Sequence, residues 1–141
     1  MKIKLLVVGK LKESHYKQAC DEYLKRLQKY CSLEIIEIKD EGKVKEAEKI
    51  LAKSADVFVV VLTEEGQQMS SIQFSSFLQK TEQDLVFIMG GPYGLDDAVK
   101  KKANLLLSLS AMTLPHELCR LVFLEQVYRA YTISKKEPYH H

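Results

Sequence analysis

Four polar side chains near the C-terminal end are spaced to act in pairs. His116 and Arg120 are four residues apart, as are Glu125 and Arg129. On one helix each pair shares a face, and at about 100° per residue the two pairs point in roughly opposite directions. An imidazole accepts a proton near neutral pH, and a carboxylate steered by a cation can do the same, so His116, Glu125 and Arg129 are candidates for proton-transfer chemistry. Each also has a plainer explanation. A histidine at a helix start is more often a satisfied structural residue, and an exposed Glu–Arg pair contributes well under about 1 kcal/mol.

Two loops could bring a ligand to those side chains. Ile88-Met89-Gly90-Gly91-Pro92-Tyr93-Gly94-Leu95 follows an apolar run, and its glycines permit close backbone approach as readily as a tight strand-to-helix turn. Leu107-Ser108-Leu109-Ser110-Ala111-Met112-Thr113-Leu114-Pro115-His116 is a small-residue loop opening onto a helix, with Pro115 suited to the first turn and Thr113 or Leu114 at the capping position. Free N–H groups at such a start can meet a polar ligand, although an ordinary capped helix looks the same. The tail Pro138-Tyr139-His140-His141 offers a ring and imidazoles able to stack on or hydrogen-bond an unstacked base. Lys100-Lys101-Lys102 and Lys135-Lys136 are usually solvated faces, with phosphate contact the rarer use.

Absent motifs narrow the class. Gly9-Lys10-Leu11 does not open a GxGxxG turn, and neither a P-loop nor a GxSxG elbow occurs, which argues against a dinucleotide fold of the usual kind, an NTPase and an α/β-hydrolase. Cys20, Cys31 and Cys119 are scattered without metal-ligand spacing, so reduced structural thiols are expected and no metal is implied.

The elements that must hold these residues alternate. Strands are expected at Ile3 to Val8, Leu33 to Ile38, Val57 to Leu62, Leu85 to Met89 and Leu105 to Leu109. Between them lie amphipathic stripes: Tyr16 to Leu27, Val44 to Leu51, and Ile72 to Leu78 after a capping Ser70. A helix led by Asp96 and Asp97 follows the glycine loop, and a final one runs from about Pro115 to Ser134. Strands separated by helices imply an α/β fold, a mostly parallel sheet with helices on both faces and ligands beyond the strand carboxyl ends. The 141 residues, 46% of them hydrophobic, suit one domain spanning 1–141. No run is long enough to cross a bilayer. With 21 Lys and Arg against 19 Asp and Glu, the net charge of +2 excludes binding nucleic acid by bulk charge, so any RNA contact must come from a local patch.

Four segments in order carry a resemblance: the Gly-Gly-Pro-x-Gly loop from Gly90, Leu109-Ser110-Ala111-Met112-Thr113-Leu114-Pro115-His116, Glu125-Gln126-Val127-Tyr128-Arg129-Ala130, and Pro138-Tyr139-His140. They resemble the ribosomal large-subunit pseudouridine N3-methyltransferase H family of the SPOUT class, and the likeness runs from the opening Lys2-Ile3-Lys4-Leu5-Leu6-Val7-Val8-Gly9-Lys10 to the last residues. The resemblance implies a C-terminal trefoil knot, an exception to the avoidance of knotted chains. It implies S-adenosyl-L-methionine held in that knot by Leu62, Gly90, Leu109, Ser110, Ala111, Met112, Thr113 and Leu114. It further implies a cytoplasmic homodimer acting on 23S rRNA in the large subunit or whole ribosome, each tail, with Tyr139 and His140, completing its partner's site. His116 or Glu125 would take the acceptor's N3 proton, while Arg129 orients Glu125 or a phosphate. Two departures stand out: the connection between Ile38 and Val57 is short for the family, and His141 stands where Arg or Lys is common. A SPOUT enzyme for another base or a ribose, and a non-catalytic ribosome-associated or nucleotide-binding module, are the alternatives.

Overall fold

The apolar N-terminal run forms β1 (Lys2–Val8), followed by α1 (Ser14–Leu27), β2 (Ser32–Ile38), α2 (Lys43–Ala52) and β3 (Phe58–Gln68). Next come α3 (Ser71–Lys80), β4 (Leu85–Met89), α4 (Asp97–Lys102), β5 (Leu105–Ser108) and α5 (His116–Ser134) in this computed structural model, which describes residues 1–141. All strand pairings are parallel, and the sheet order is β2-β1-β4-β3-β5. Central β4 reads Leu-Val-Phe-Ile-Met and is buried along its whole length, as a strand covered on both faces must be.

Alternation along the strands divides the core. Ile3, Leu5 and Val7 of β1 join Phe87 and the apolar sides of α1, α3 and α5, including Leu27, Phe74 and Phe123. Leu6 and Val8 face the other way, onto Ala47 and Ile50 of α2 and Val99 of α4. Helices therefore cover both faces, as the alternating pattern predicts. No helix is long and apolar enough to cross a membrane.

Local chemistry sets the helix starts. Ser70 Oγ accepts the Gln73 N–H at 3.1 Å while Gln73 Oε1 accepts the Ser70 N–H at 2.8 Å, a reciprocal cap that also carries the polypeptide out of β3. Asp96 Oδ1 accepts the Ala98 N–H at 2.9 Å. Helix α5 departs from expectation: Pro115 is the flanking residue, with no side-chain cap. Thr113 does not cap it, because its hydroxyl donates instead to Glu64 Oε2 at 3.2 Å.

The larger departure is β3, which continues six residues beyond Leu62 through Thr63-Glu64-Glu65-Gly66-Gln67-Gln68. Leu107 of β5 is registered first with Leu62 and then with Gln67, the strand bulging between the two. Gly66 makes the bulge possible, since a Cβ there would stand 2.6 Å from both the Leu106 carbonyl carbon and the Leu107 nitrogen.

Candidate active site

Beyond the carboxyl ends of β3, β4 and β5 lies an open cleft of about 690 Å³, within the size range of small-molecule sites. One wall is the glycine turn after β4; another is the loop between β5 and α5, represented by Leu109, Ser110, Met112, Thr113 and Leu114. Leu62 and the β3 extension supply the third. Seven of the eight expected cofactor residues therefore meet in one place. Ala111 does not line the cleft and is solvent-exposed. The Ser110 hydroxyl accepts the Met112 N–H at 2.9 Å, which closes a turn around Ala111. At Gly90 a Cβ would come within 2.8 Å of Leu95 Cγ and 3.0 Å of the Gly94 carbonyl carbon. The turn folds that tightly only with glycine there.

His116 stands at the cleft's edge. Its Nε2 is buried without a partner. Burial lowers its pKa below the usual 6.5, with a hydrogen bond to the Val8 backbone opposing that shift and the nearby Arg120 charge adding to it. Arg120 itself is buried, its NH1 donating to Glu37 Oε2 at 2.9 Å and its NH2 to the Gly9 carbonyl at 3.2 Å. It is thus a strut between α5 and the ends of β1 and β2.

Glu125 and Arg129 belong to a different cluster. Arg129 donates from NH2 to Glu125 Oε2 at 2.7 Å and from Nε to Oε1 at 3.1 Å, a two-pronged pair. The Glu125 bond raises the Arg129 pKa. The Tyr139 hydroxyl donates to Glu125 Oε2 at 3.0 Å, and the Arg129 guanidinium lies 4.7 Å from the Tyr139 ring centre. Arginine can only donate, so the 3.0 Å contact from Arg129 NH1 makes His140 Nδ1 the acceptor. The tail is fastened by Tyr30, whose hydroxyl donates to Glu137 Oε2 at 2.6 Å. Burial, then that bond, pushes the Tyr30 pKa up to about 12. What looked like a surface ion pair is therefore a half-buried network tying the tail to α5 and, through the 3.1 Å contact between the Tyr23 and Tyr139 hydroxyls, to α1.

The sequence that builds this cleft has counterparts among known proteins: a family model described as a predicted SPOUT methyltransferase matches residues 1–140. The chain belongs to the SPOUT methyltransferase family. It is 47% identical over 158 residues to the ribosomal RNA large subunit methyltransferase H of Streptococcus equi subsp. zooepidemicus, with 99% of each chain covered. To the protein of the same name in Clostridium acetobutylicum it is 46% identical over 158 residues, again with 99% of each covered. The alignments exceed the chain's 141 residues and so open gaps in it. Among solved structures, a probable methylase family protein from Haemophilus influenzae Rd KW20 superposes with a TM-score of 0.62 at 9% identity, covering 99% of this chain and 70% of that one. At that identity the likeness speaks for the fold alone.

For a SPOUT methyltransferase the cleft suits S-adenosylmethionine. Leu62, Met89, Leu109 and Leu114 give apolar surface for a purine ring, and the glycine turn exposes backbone polar groups. Glu64 and Glu65 at the rim complement a cationic ligand. Sequence reasoning missed these two carboxylates, because the polar end of β3 carried no strand signal; Lys100, read there as part of a solvated cationic run, has its ammonium 3.6 Å from Glu65. All three cysteines are unpaired. Cys119 lines the cleft, and burial raises its thiol pKa, which keeps it a poor nucleophile.

Proposed function

We propose that the protein transfers a methyl group from S-adenosylmethionine to N3 of a pseudouridine in 23S ribosomal RNA, acting in the cytoplasm as a homodimer on the large subunit or whole ribosome. The observation that carries this reading is the meeting of Leu62, the Gly90 turn and the loop ahead of α5 in one cleft beside His116. The name shared by the relatives supplies the ribosomal RNA target. Family membership also argues for a knotted chain, with the doubled pairing of β3 and β5 at its crossing.

The cofactor supplies an activated methyl group; the protein must orient the acceptor and take its imide proton. Alignment alone can contribute on the order of 7 to 11 kcal/mol. His116 is the proton acceptor in this reading: it borders the cleft, and its burial favours the uncharged, accepting form. Glu125 serves differently. Its oxygens already accept from Gln126, Tyr139 and two nitrogens of Arg129, so it positions Arg129 and the tail instead of taking a proton. His140 Nδ1 is engaged by Arg129, which leaves Nε2 to donate to a base carbonyl. Since His116 and this cluster occupy different sides of α5, the tail, with Tyr139 and His140, serves the cleft of the partner subunit.

Methyl transfer to 70S particles and to naked 23S RNA from a strain lacking the enzyme, with the modified nucleoside identified by mass spectrometry, tests this. Label on N3 of a pseudouridine is expected. Label on another base or a ribose would replace the assigned target, and label in neither RNA would overturn the activity.

A further inference from the structure

A second groove, of about 630 Å³, lies at the carboxyl ends of β1 and β2. Its walls include Val8, Gly9 and Lys10 after β1 and Ile38, Lys39 and Asp40 after β2. It meets the cofactor cleft at two residues, Pro92 and His116, which line both. His116 therefore stands between the two cavities and lines both, with its Nε2 buried.

The charges along this groove are not balanced. Lys10, Lys12 and Lys39 line it, as do Glu37, Asp40 and Glu117, but two of the three carboxylates are engaged within the fold. Glu37 pairs with the buried guanidinium of Arg120 at 2.9 Å. Glu117 Oε1 accepts the backbone N–H groups of Lys12 and Glu13 at 2.6 and 3.1 Å, bonds that lower its pKa and keep it ionised. Asp40 and the ionised Glu117 remain beside three exposed ammonium groups, of which Lys39 has Glu41 at 3.8 Å while Lys10 and Lys12 are in no ion pair. The half-buried Tyr16 ring adds aromatic surface. The cofactor cleft is the opposite: its one lysine, Lys100, lies beside Glu65, and Glu64 adds negative charge. An anionic polymer reaching that cleft has to have its charge met outside it.

We propose that this groove is the seat of the RNA backbone. The phosphates of the strand carrying the acceptor base lie on Lys10, Lys12 and Lys39, and the base itself passes His116 into the cofactor cleft. The assignment rests on the methyltransferase reading above and adds to it the path of the substrate. It also fits the low net charge, since Lys10, Lys12 and Lys39 gathered in one groove give a local cationic site that bulk composition hides.

The test compares the wild-type protein with a Lys10→Gln, Lys12→Gln, Lys39→Gln triple variant. A charge-matched Lys45→Gln, Lys53→Gln, Lys80→Gln variant, altered at exposed positions away from both cavities, is the control. Methylation of ribosomal particles is followed against salt, S-adenosylmethionine affinity is measured by calorimetry, and particle mass by light scattering. The groove variant should show a KM for the particle raised about tenfold or more and a log–log salt slope shallower by roughly three, with kcat, cofactor affinity and mass unchanged. The control should match wild type. A KM and salt slope equal to the control's would overturn the proposal, as would a loss of cofactor affinity or a changed mass in the groove variant. A wild-type protein that neither binds the cofactor nor methylates the particle would sink the methyltransferase reading and this one with it, whereas normal wild-type turnover with an unaltered KM in the variant would sink this one alone.

Discussion

His116 and Glu125 stand on opposite sides of one helix. Nine residues separate them, two and a half turns and about 13 Å along the axis. The first borders the cofactor cleft, while the second lies beneath Tyr139. A single chain therefore does not direct both at one acceptor, but two chains can. Proteins carrying His116→Gln and Glu125→Gln should each be nearly inactive alone. Refolded together, they should recover about a quarter of wild-type activity, because half of randomly paired twofold dimers are mixed and one of the two sites in each is intact. No recovery in the mixture would show that both residues act within one chain.

Gly90 is tested by a single methyl group. With Leu95 Cγ at 2.8 Å and the Gly94 backbone at 3.0 Å from the added Cβ, Gly90→Ala must displace the buried Leu95 and open the turn. The expected cost is about 1 to 3 kcal/mol in urea unfolding, with S-adenosylmethionine affinity by calorimetry reduced at least about tenfold. Unaltered affinity would mean that this turn does not shape the cofactor site.

The order of strands and helices was legible because each core strand is an apolar run and each helix carries a stripe. Ser70, as a cap, and Asp96 with Asp97, as acidic residues favoured at a helix start, announced their helices because such side chains act within the first turn. The polar end of β3 was not legible. Its pairing with β5 is made by backbone groups, and Thr63-Glu64-Glu65 has no pattern separating it from a loop. Distance in sequence hid the rest. Arg120 finds Glu37 83 residues away, and Tyr30 finds Glu137 107 residues away, so neither the strut nor the tail fastening could be read from spacing. At the site, most of the loop expected to hold the cofactor lines the cleft, whereas Ala111 of the same loop is exposed outside it, and which residues of a loop face inward is set by its turn and not by spacing.

Gly66 should tolerate no side chain. Its Cβ would contact the backbone of Leu106 and Leu107 at 2.6 Å, and backbone cannot swing aside as a side-chain tip can. Gly66→Ala should destabilise the protein by about 3 kcal/mol or more, at or beyond the upper end of ordinary overpacking. Urea unfolding would read it; a loss below about 1 kcal/mol would mean that the β3–β5 pairing yields easily.

His116 makes stability respond to acid before activity does. Burial holds its folded-state pKa below 6.5, while the unfolded chain titrates near the ordinary value, about 6.5. Above that value both states carry the ring uncharged and the folded state suffers no penalty. As pH falls below it, the unfolded chain takes up a proton that the folded chain resists, so stability declines until the folded-state pKa is passed and then levels off. His116→Asn removes this contribution, and the loss of stability between about pH 7 and pH 5 should be smaller in the variant than in wild type. Single-turnover methylation by the wild type should hold its rate below pH 6.5, since the accepting form persists there. Urea midpoints across that range and a single-turnover pH profile check both. An acid limb centred above 6.5 would count against His116 as the proton acceptor, and identical pH dependence of stability in the two proteins would count against a buried, uncharged ring.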